Sequence, residues 1–338
     1  MTAYNVKIDH FSMILPERIV GNEEIFALIR KKKQELGLEI DETRLDWRAF
    51  GATTMIQERR IFPEGSDIHK ISEATLTKAL AEAGWKADEL DFIIVSTISK
   101  SPHVGALSTP SVACIVQEAI GAWNAFAYDS SAACSGWLYA AQQAIAFIHS
   151  KMAKKGAVIC IDMPHNGRCI DFSNEKTAPL TGEVSTATLF SYSEEPRIHE
   201  IKTYANKPDI KSDLITVGLF DLPQLPFSLN GKLVYKLGIQ EMLRMTKENE
   251  AYTMEKFGKK PDYYVYHQAN GAMLMRILEE AVIDPAKNLY NVDRLANTIG
   301  ATIPSVLAEK WSSLQKGSFV STIAFGAGAT MGKLLFIR

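Results

Sequence analysis

An α/β protein built of two similar halves is what this 338-residue chain predicts, on three observations. Short apolar, strand-like runs alternate with stretches of helical spacing. The order helix, strand, loop, helix, strand occurs twice along the chain. The composition, 46% hydrophobic and 22% charged, suffices for a large core divided between two packed halves.

The chain opens on the strand-like Asn5-Val6-Lys7-Ile8. Between Ile71 and Leu90 the apolar residues Ile71, Leu76, Ala79, Leu80 and Ala83 recur at helical spacing. The buried strand Asp91-Phe92-Ile93-Ile94-Val95-Ser96 follows. A helix from Ser135 runs through Leu138, Ala141, Ile145 and Ile148. It stops at Lys154-Lys155-Gly156, a glycine after a cationic last turn, before the strand Ala157 to Ile161.

The second round repeats this plan. Leu233 to Phe257 is helical, and Lys260-Pro261-Asp262 leads into the strand Tyr263 to His267. A helix starting near Asn297 passes through Ile303, Val306, Leu307 and Trp311 to Lys316-Gly317, then the strand Phe319 to Phe325. Counting back from the two glycines puts Asn297 within about one turn of the position equivalent to Cys134. We therefore expect an N-terminal half over about 1–175 carrying Cys134, with a first sheet that can extend to about residue 200. A C-terminal half over 176–338 would carry His267 and Asn297, with the loops of both meeting at a shared face.

A formal net charge of −2 argues against general attraction to nucleic acid or membranes. The clusters Lys31-Lys32-Lys33, Arg59-Arg60, Lys154-Lys155 and Lys259-Lys260 read mostly as solvated helix ends and faces. No apolar run approaches the roughly 18 residues that span a bilayer, and no signal pattern opens the chain, so a cytoplasmic location is expected. Cys114, Cys134, Cys160 and Cys169 make no disulfide framework for a chain of this size. Cys160, His165 and Cys169 have ligand-like spacing, but Cys160 sits in the apolar run Ala157 to Ile161 and nothing nearby supplies a fourth ligand. No metal is expected.

Four segments carry chemistry. Cys134 lies in Asp129-Ser130-Ser131-Ala132-Ala133-Cys134-Ser135-Gly136, a run of tiny residues opening into a helix. Backbone N–H groups at a helix start favour a thiolate, and small neighbours admit a substrate carbonyl. His267, in His267-Gln268-Ala269-Asn270, has a rigid strand behind it and an amide-rich loop after it, a setting not shared by the other six histidines. Asn297-Thr298-Ile299-Gly300 stands near a helix start, where asparagine also serves as a simple cap. Gly326-Ala327-Gly328-Ala329-Thr330-Met331-Gly332 follows a strand, either as a tight turn or as a backbone N–H offered to an oxyanion. It lacks a phosphate-loop lysine.

In this order the four segments resemble the β-ketoacyl-acyl carrier protein synthase III family, across nearly the whole chain. Gln57 to Ile61, Thr109-Pro110-Ser111, Asn124 to Leu138, Gly182 to Leu189 and everything from Tyr263 onward share in it. The resemblance implies a thiolase-like fold, two duplicated α/β halves in five layers, α-β-α-β-α. It implies a Cys134, His267, Asn297 triad with Cys134 acylated, and an oxyanion hole from the Cys134 and Ala327 backbone. It implies that Trp47 and Arg168 hold the coenzyme A adenine, that Gly231, Ala269 and Asn270 contact the pantetheine arm, and that Phe325 packs beside the triad.

The implied reaction is acyl transfer from a thioester to Cys134, then decarboxylative Claisen condensation with a malonyl- or β-ketoacyl-thioester. The substrates are acyl-CoA or acyl-ACP, an acyl carrier protein is the expected partner, no cofactor is tightly bound, and a homodimer is expected. Thr109 stands at the acyl pocket where short-chain members carry phenylalanine, implying a longer or wider channel. Gly182-Glu183-Val184-Ser185 replaces Gly-Asp-Gly-Ala, and the segment Glu23 to Trp47 is long. These departures point to a specialised fatty acid or polyketide role. Two other functions fit less well: acyl transfer to an oxygen or nitrogen acceptor, and a pocket-shaping subunit of a heterodimer.

Overall fold

Strands with apolar residues on both faces must be covered on both faces, and the architecture follows from that requirement. The computed structural model describes residues 3–99, 109–165, 170, 172–208, 210, 214–217 and 227–338. In chain order these form β1 (Val6–Ile14), β2 (Ile19–Gly21), α1 (Asn22–Glu35), α2 (Trp47–Thr54), β3 (Glu58–Arg60), α3 (Ile68–Ala83), β4 (Phe92–Ser96), α4 (Val112–Ala119), β5 (Phe126–Ser130), α5 (Gly136–His149), β6 (Lys155–Asp162) and β7 (Val184–Tyr192). There follow β8 (Ile198–Ala205), β9 (Ile215–Val217), β10 (Phe227–Leu229), α6 (Gly231–Phe257), β11 (Tyr263–Tyr266), α7 (Gly271–Ala281), α8 (Val292–Leu295), α9 (Thr302–Lys310), β12 (Phe319–Gly326) and β13 (Thr330–Ile337).

Two sheets dominate, in the orders β1-β7-β6-β4-β5 and β11-β12-β13-β8. In the first, β4 and β6 are parallel, then β6 with β7 and β7 with β1 are antiparallel. In the second, β11 and β12 are parallel, then β12 with β13 and β13 with β8 are antiparallel. The pairing pattern is the same in both, and β5 is an added edge strand parallel to β4. The change of sheet falls between Tyr192 and Ile198. Val184–Tyr192 pairs along its length with β6 and β1, so hydrogen bonding ties it to the first sheet.

Between the sheets lie α5 and α9, whose Trp137, Leu138, Ile145, Ile303, Val306 and Leu307 pack with residues of both sheets. On the outer face of the first sheet, α3 and α4 cover Ile93, Val95, Ile159 and Leu189. On the outer face of the second, α6 and α7 cover Tyr264, Tyr266, Ile323 and Phe325. The layers are thus α-β-α-β-α. Within β4, Phe92 and Ile94 face the middle layer while Ile93 and Val95 face outward, which is why its sequence reads as an unbroken apolar run.

Arg59 departs from the solvated face expected of it. It is fully buried, donating to the carbonyls of Val20 (3.1 Å) and Pro179 (2.7 Å) and to Asn22 Oδ1 (2.9 Å). One guanidinium thereby ties β3 to the β2–α1 junction and to the Pro179 turn. No helix of the described residues is long and apolar enough to cross a membrane.

Candidate active site

Cys134 leaves the end of β5 through a turn that only small residues allow. Ala133 adopts φ 43°, in the sparsely populated left-handed region, and Ala133–Ser135 form one 3-10 turn before α5. Gly326, at the end of β12, packs so tightly that a Cβ there would lie 2.5 Å from Cys134 Cβ. A Cβ on Gly136 would meet Ser96 Oγ at 2.2 Å. Two halves of the chain therefore close on Cys134, and the backbone N–H groups of Cys134 and Ala327 both reach its sulfur.

His267 lies just past β11, its N–H donating to the Ile323 carbonyl of β12 at 2.8 Å. Its ring is buried, with Nδ1 2.8 Å from Thr302 Oγ1. Thr302 in turn donates to the Ile299 carbonyl at 3.2 Å.

Asn297 is not a helix cap, since α9 starts five residues later. Instead its backbone bridges Thr181: Asn297 N–H donates to the Leu180 carbonyl and its carbonyl accepts from Gly182 N–H, both at 3.0 Å. Its side-chain Oδ1 accepts from Ile299 N–H at 2.9 Å. That leaves the amide NH2 as the free end, a donor.

Cys134, His267, Asn297, Phe325 and Ala327 line one cavity of about 660 Å³. Gly231, Ala269 and Asn270 line it too, and Asn270 also caps α7 by accepting from Met273 N–H at 3.0 Å. Thr109 and Trp47 are not among its lining residues. Thr109 is exposed, ahead of an α4 whose first N–H groups, Val112 and Ala113, are held by the Asp129 carboxylate of β5. Trp47 starts α2 and carries the Arg48 guanidinium 4.3 Å from its ring centroid. Arg168 and Cys169 lie outside the described residues. Among the described residues, no group of three or more His, Cys, Asp or Glu is placed to hold a metal ion.

The 3-Oxoacyl-[acyl-carrier-protein (ACP)] synthase III family matches residues 128–207, and its C-terminal domain matches residues 254–337. A Beta-ketoacyl-[acyl-carrier-protein] synthase III of Clostridium novyi (strain NT) is 31% identical, over 97% of this chain and 98% of its own. The chain belongs to that family. The corresponding enzyme of Clostridium tetani is 32% identical over 93% of this chain and 96% of its own. The crystal structure of 3-oxoacyl-[acyl-carrier-protein] synthase III from Aquifex aeolicus VF5 superposes with a TM-score of 0.82 at 26% identity, covering 98% of this chain and 100% of that one. The fold is thus that of thiolase, and this synthase III relative is an acyltransferase of the condensing type.

In this synthase the thiolate expected of Cys134 at rest does not hold. Burial pushes the thiol up to about 12, against the two backbone N–H groups, and the Asp162 carboxylate adds to the rise. Burial also pushes the His267 imidazole down to about 4. At neutral pH the resting pair is thiol and neutral imidazole, because the helix-start field is outweighed by desolvation.

The sequence reading missed three residues that bear on the site. Asp162, at the end of β6, accepts from Ile98 N–H (2.8 Å), Gly300 N–H (3.1 Å) and Thr97 Oγ1 (3.3 Å), so it ties the Asn297 turn to the first sheet. Its own burial raises its carboxyl to about 7. Thr302 and Thr181 escaped because threonine at a helix start or after a turn carries no signal of its own. An acidic residue ending a buried strand, as Asp162 does, was a readable one.

Proposed function

We propose that the enzyme loads an acyl group from a thioester onto Cys134 and condenses it with a malonyl- or β-ketoacyl-thioester. The single observation that carries this is the meeting of Cys134, His267 and the Asn297 amide on one cavity, with two backbone N–H groups at the sulfur. In the first half, the Cys134 proton moves to His267 Nε2 as the sulfur attacks the thioester carbonyl. The N–H groups of Cys134 and Ala327 hold the oxyanion, each such donor being worth about 3 kcal/mol of barrier. The leaving thiolate takes a proton from solvent.

In the second half, His267 Nε2–H and the Asn297 amide donate to the carbonyl of the second thioester. Carbon dioxide departs, the enolate carbon attacks the acyl group, and the expelled Cys134 thiolate recovers its proton from Nε2. Phe325, buried on the cavity wall, excludes water from this step. Transfer to an oxygen or nitrogen acceptor has no use for an enolate donor, so the orientation of Asn297 by Ile299 favours condensation.

Coenzyme A and acyl carrier protein both present an arm bearing phosphate, and the exposed Lys176 and Lys232 at the cavity support either carrier. A homodimer is supported by β5, an edge strand with Phe126 exposed and Trp123 71% exposed just before it. Such an edge is a template for pairing with a second copy. A specialised role rests on the departure at Gly182-Glu183-Val184-Ser185, where the buried Glu183 carboxylate accepts from Phe62 N–H (2.8 Å) and His165 N–H (2.9 Å). The test is intact-protein mass after exposure to a pool of acyl thioesters. An acyl adduct on wild type and none on Cys134→Ser is expected, and equal adducts on both refute the assignment.

A further inference from the structure

The proposed cycle asks His267 Nε2 to be a base first and a donor afterwards, and the present inference rests on that cycle. Both roles are served without any rearrangement if Nδ1 keeps its own proton throughout. The group facing Nδ1 decides this. It is Thr302 Oγ1, at 2.8 Å. A hydroxyl can donate or accept, but it has one proton, and here that proton is committed to the Ile299 carbonyl. Ile299 presents this carbonyl from a left-handed backbone (φ 56°), a conformation rare for a β-branched residue. Towards His267, therefore, Thr302 is an acceptor.

We propose that Thr302 is the positioning residue that lets His267 take, hold and return the Cys134 proton. With Nδ1–H held by Thr302, Nε2 is the nitrogen left bare towards the cavity that His267 and Cys134 share. When the S–H bond breaks and Nε2–H forms, Nδ1–H is unchanged and still satisfied, so the imidazolium has both its donors paired. When the thiolate is released, the same proton travels back. A backbone N–H in place of Thr302 would force the opposite tautomer and leave no base. In the Ser-His-Asp triad an anion fills this place and stabilises the imidazolium. A neutral hydroxyl does so more weakly.

The test needs no acyl thioester, so it stands apart from any failure of the condensing reaction. Histidine-labelled wild-type protein is read by ¹⁵N NMR, with His267 assigned by His267→Ala. A neutral ring protonated at Nδ1 is expected, and one protonated at Nε2 overturns the proposal. Alkylation of Cys134 by iodoacetamide at neutral pH is then compared across variants. Thr302→Val, which keeps the shape and loses the acceptor, should react at least about tenfold more slowly, with Thr302→Ser within about threefold of wild type. Thr302→Val reacting as fast as wild type overturns the proposal, as does Thr302→Ser failing to restore the rate. A residue that only filled space would leave the ¹⁵N signature and the rescue by serine unexplained.

Discussion

Gly326→Ala adds a single methyl group directly against the nucleophile. Gly326 has φ −155° and ψ −174°, extended backbone that alanine adopts freely, so only space is at stake. The new Cβ would stand 2.5 Å from Cys134 Cβ and 3.2 Å from Cys134 Cα and N. The first distance is about 0.9 Å short of the 3.4 Å at which ordinary contact begins. The neighbours cannot swing away, because two of the three atoms are backbone. Cys134 must therefore move by most of an ångström, carrying with it both the sulfur and an N–H of the proposed oxyanion hole. A misplacement of about 1 Å costs roughly 100-fold in rate, while overpacking costs about 1–3 kcal/mol of stability. The assay is the rate of Cys134 acylation by intact mass, beside the unfolding midpoint. Gly21→Ala is the control: Gly21 lies away from the cavity at φ −72°, and its Cβ would meet nothing within 4 Å. Gly326→Ala acylating within about threefold of wild type would refute the argument that packing on β12 fixes the nucleophile.

Asn297→Ala should still acylate at Cys134 yet release carbon dioxide from a malonyl thioester about 100-fold more slowly, as for loss of one oxyanion donor; unchanged release removes Asn297 from the second half-reaction. His267 also predicts a pH effect on stability. Its folded value of about 4 lies below the ordinary 6.5, so between those values the unfolded chain binds a proton that the folded protein refuses. Stability contributed by the neutral ring is full above pH 6.5 and is lost as pH falls towards 4, by about 3 kcal/mol in all. Asp162, raised to about 7, works in the opposite direction over an overlapping range. The measurement is therefore the difference in unfolding free energy between wild type and His267→Gln across pH 4–7. A difference that does not change with pH contradicts the burial argument.

Much of the site was legible in the chain because its signals are local. Tiny residues around Cys134, an amide-rich loop after the strand ending at Tyr266, and glycines after Phe325 each announce close backbone approach from immediate neighbours alone. Alternating helices and apolar strands likewise announce a covered sheet, repeated. Of the two readings open for Asn297, the simple helix cap is the one its bridge to Thr181 excludes. A capping asparagine and one bridged to Thr181 differ only in a partner more than a hundred residues away. Arg59 misled in the same way, since a pair of arginines reads as surface until Val20, Asn22 and Pro179 converge on one of them.

The amino-acid sequence by itself determined the element types, the doubled plan, the family and the candidate set Cys134, His267 and Asn297, because spacing and backbone requirements are properties of neighbouring residues. Only the tertiary structure decided that β7 closes the first sheet, that Thr302 stands behind His267, and that Cys134 rests as a thiol. Those outcomes depend on desolvation and on hydrogen bonds between distant segments, and both exist only once the two halves have packed around the site.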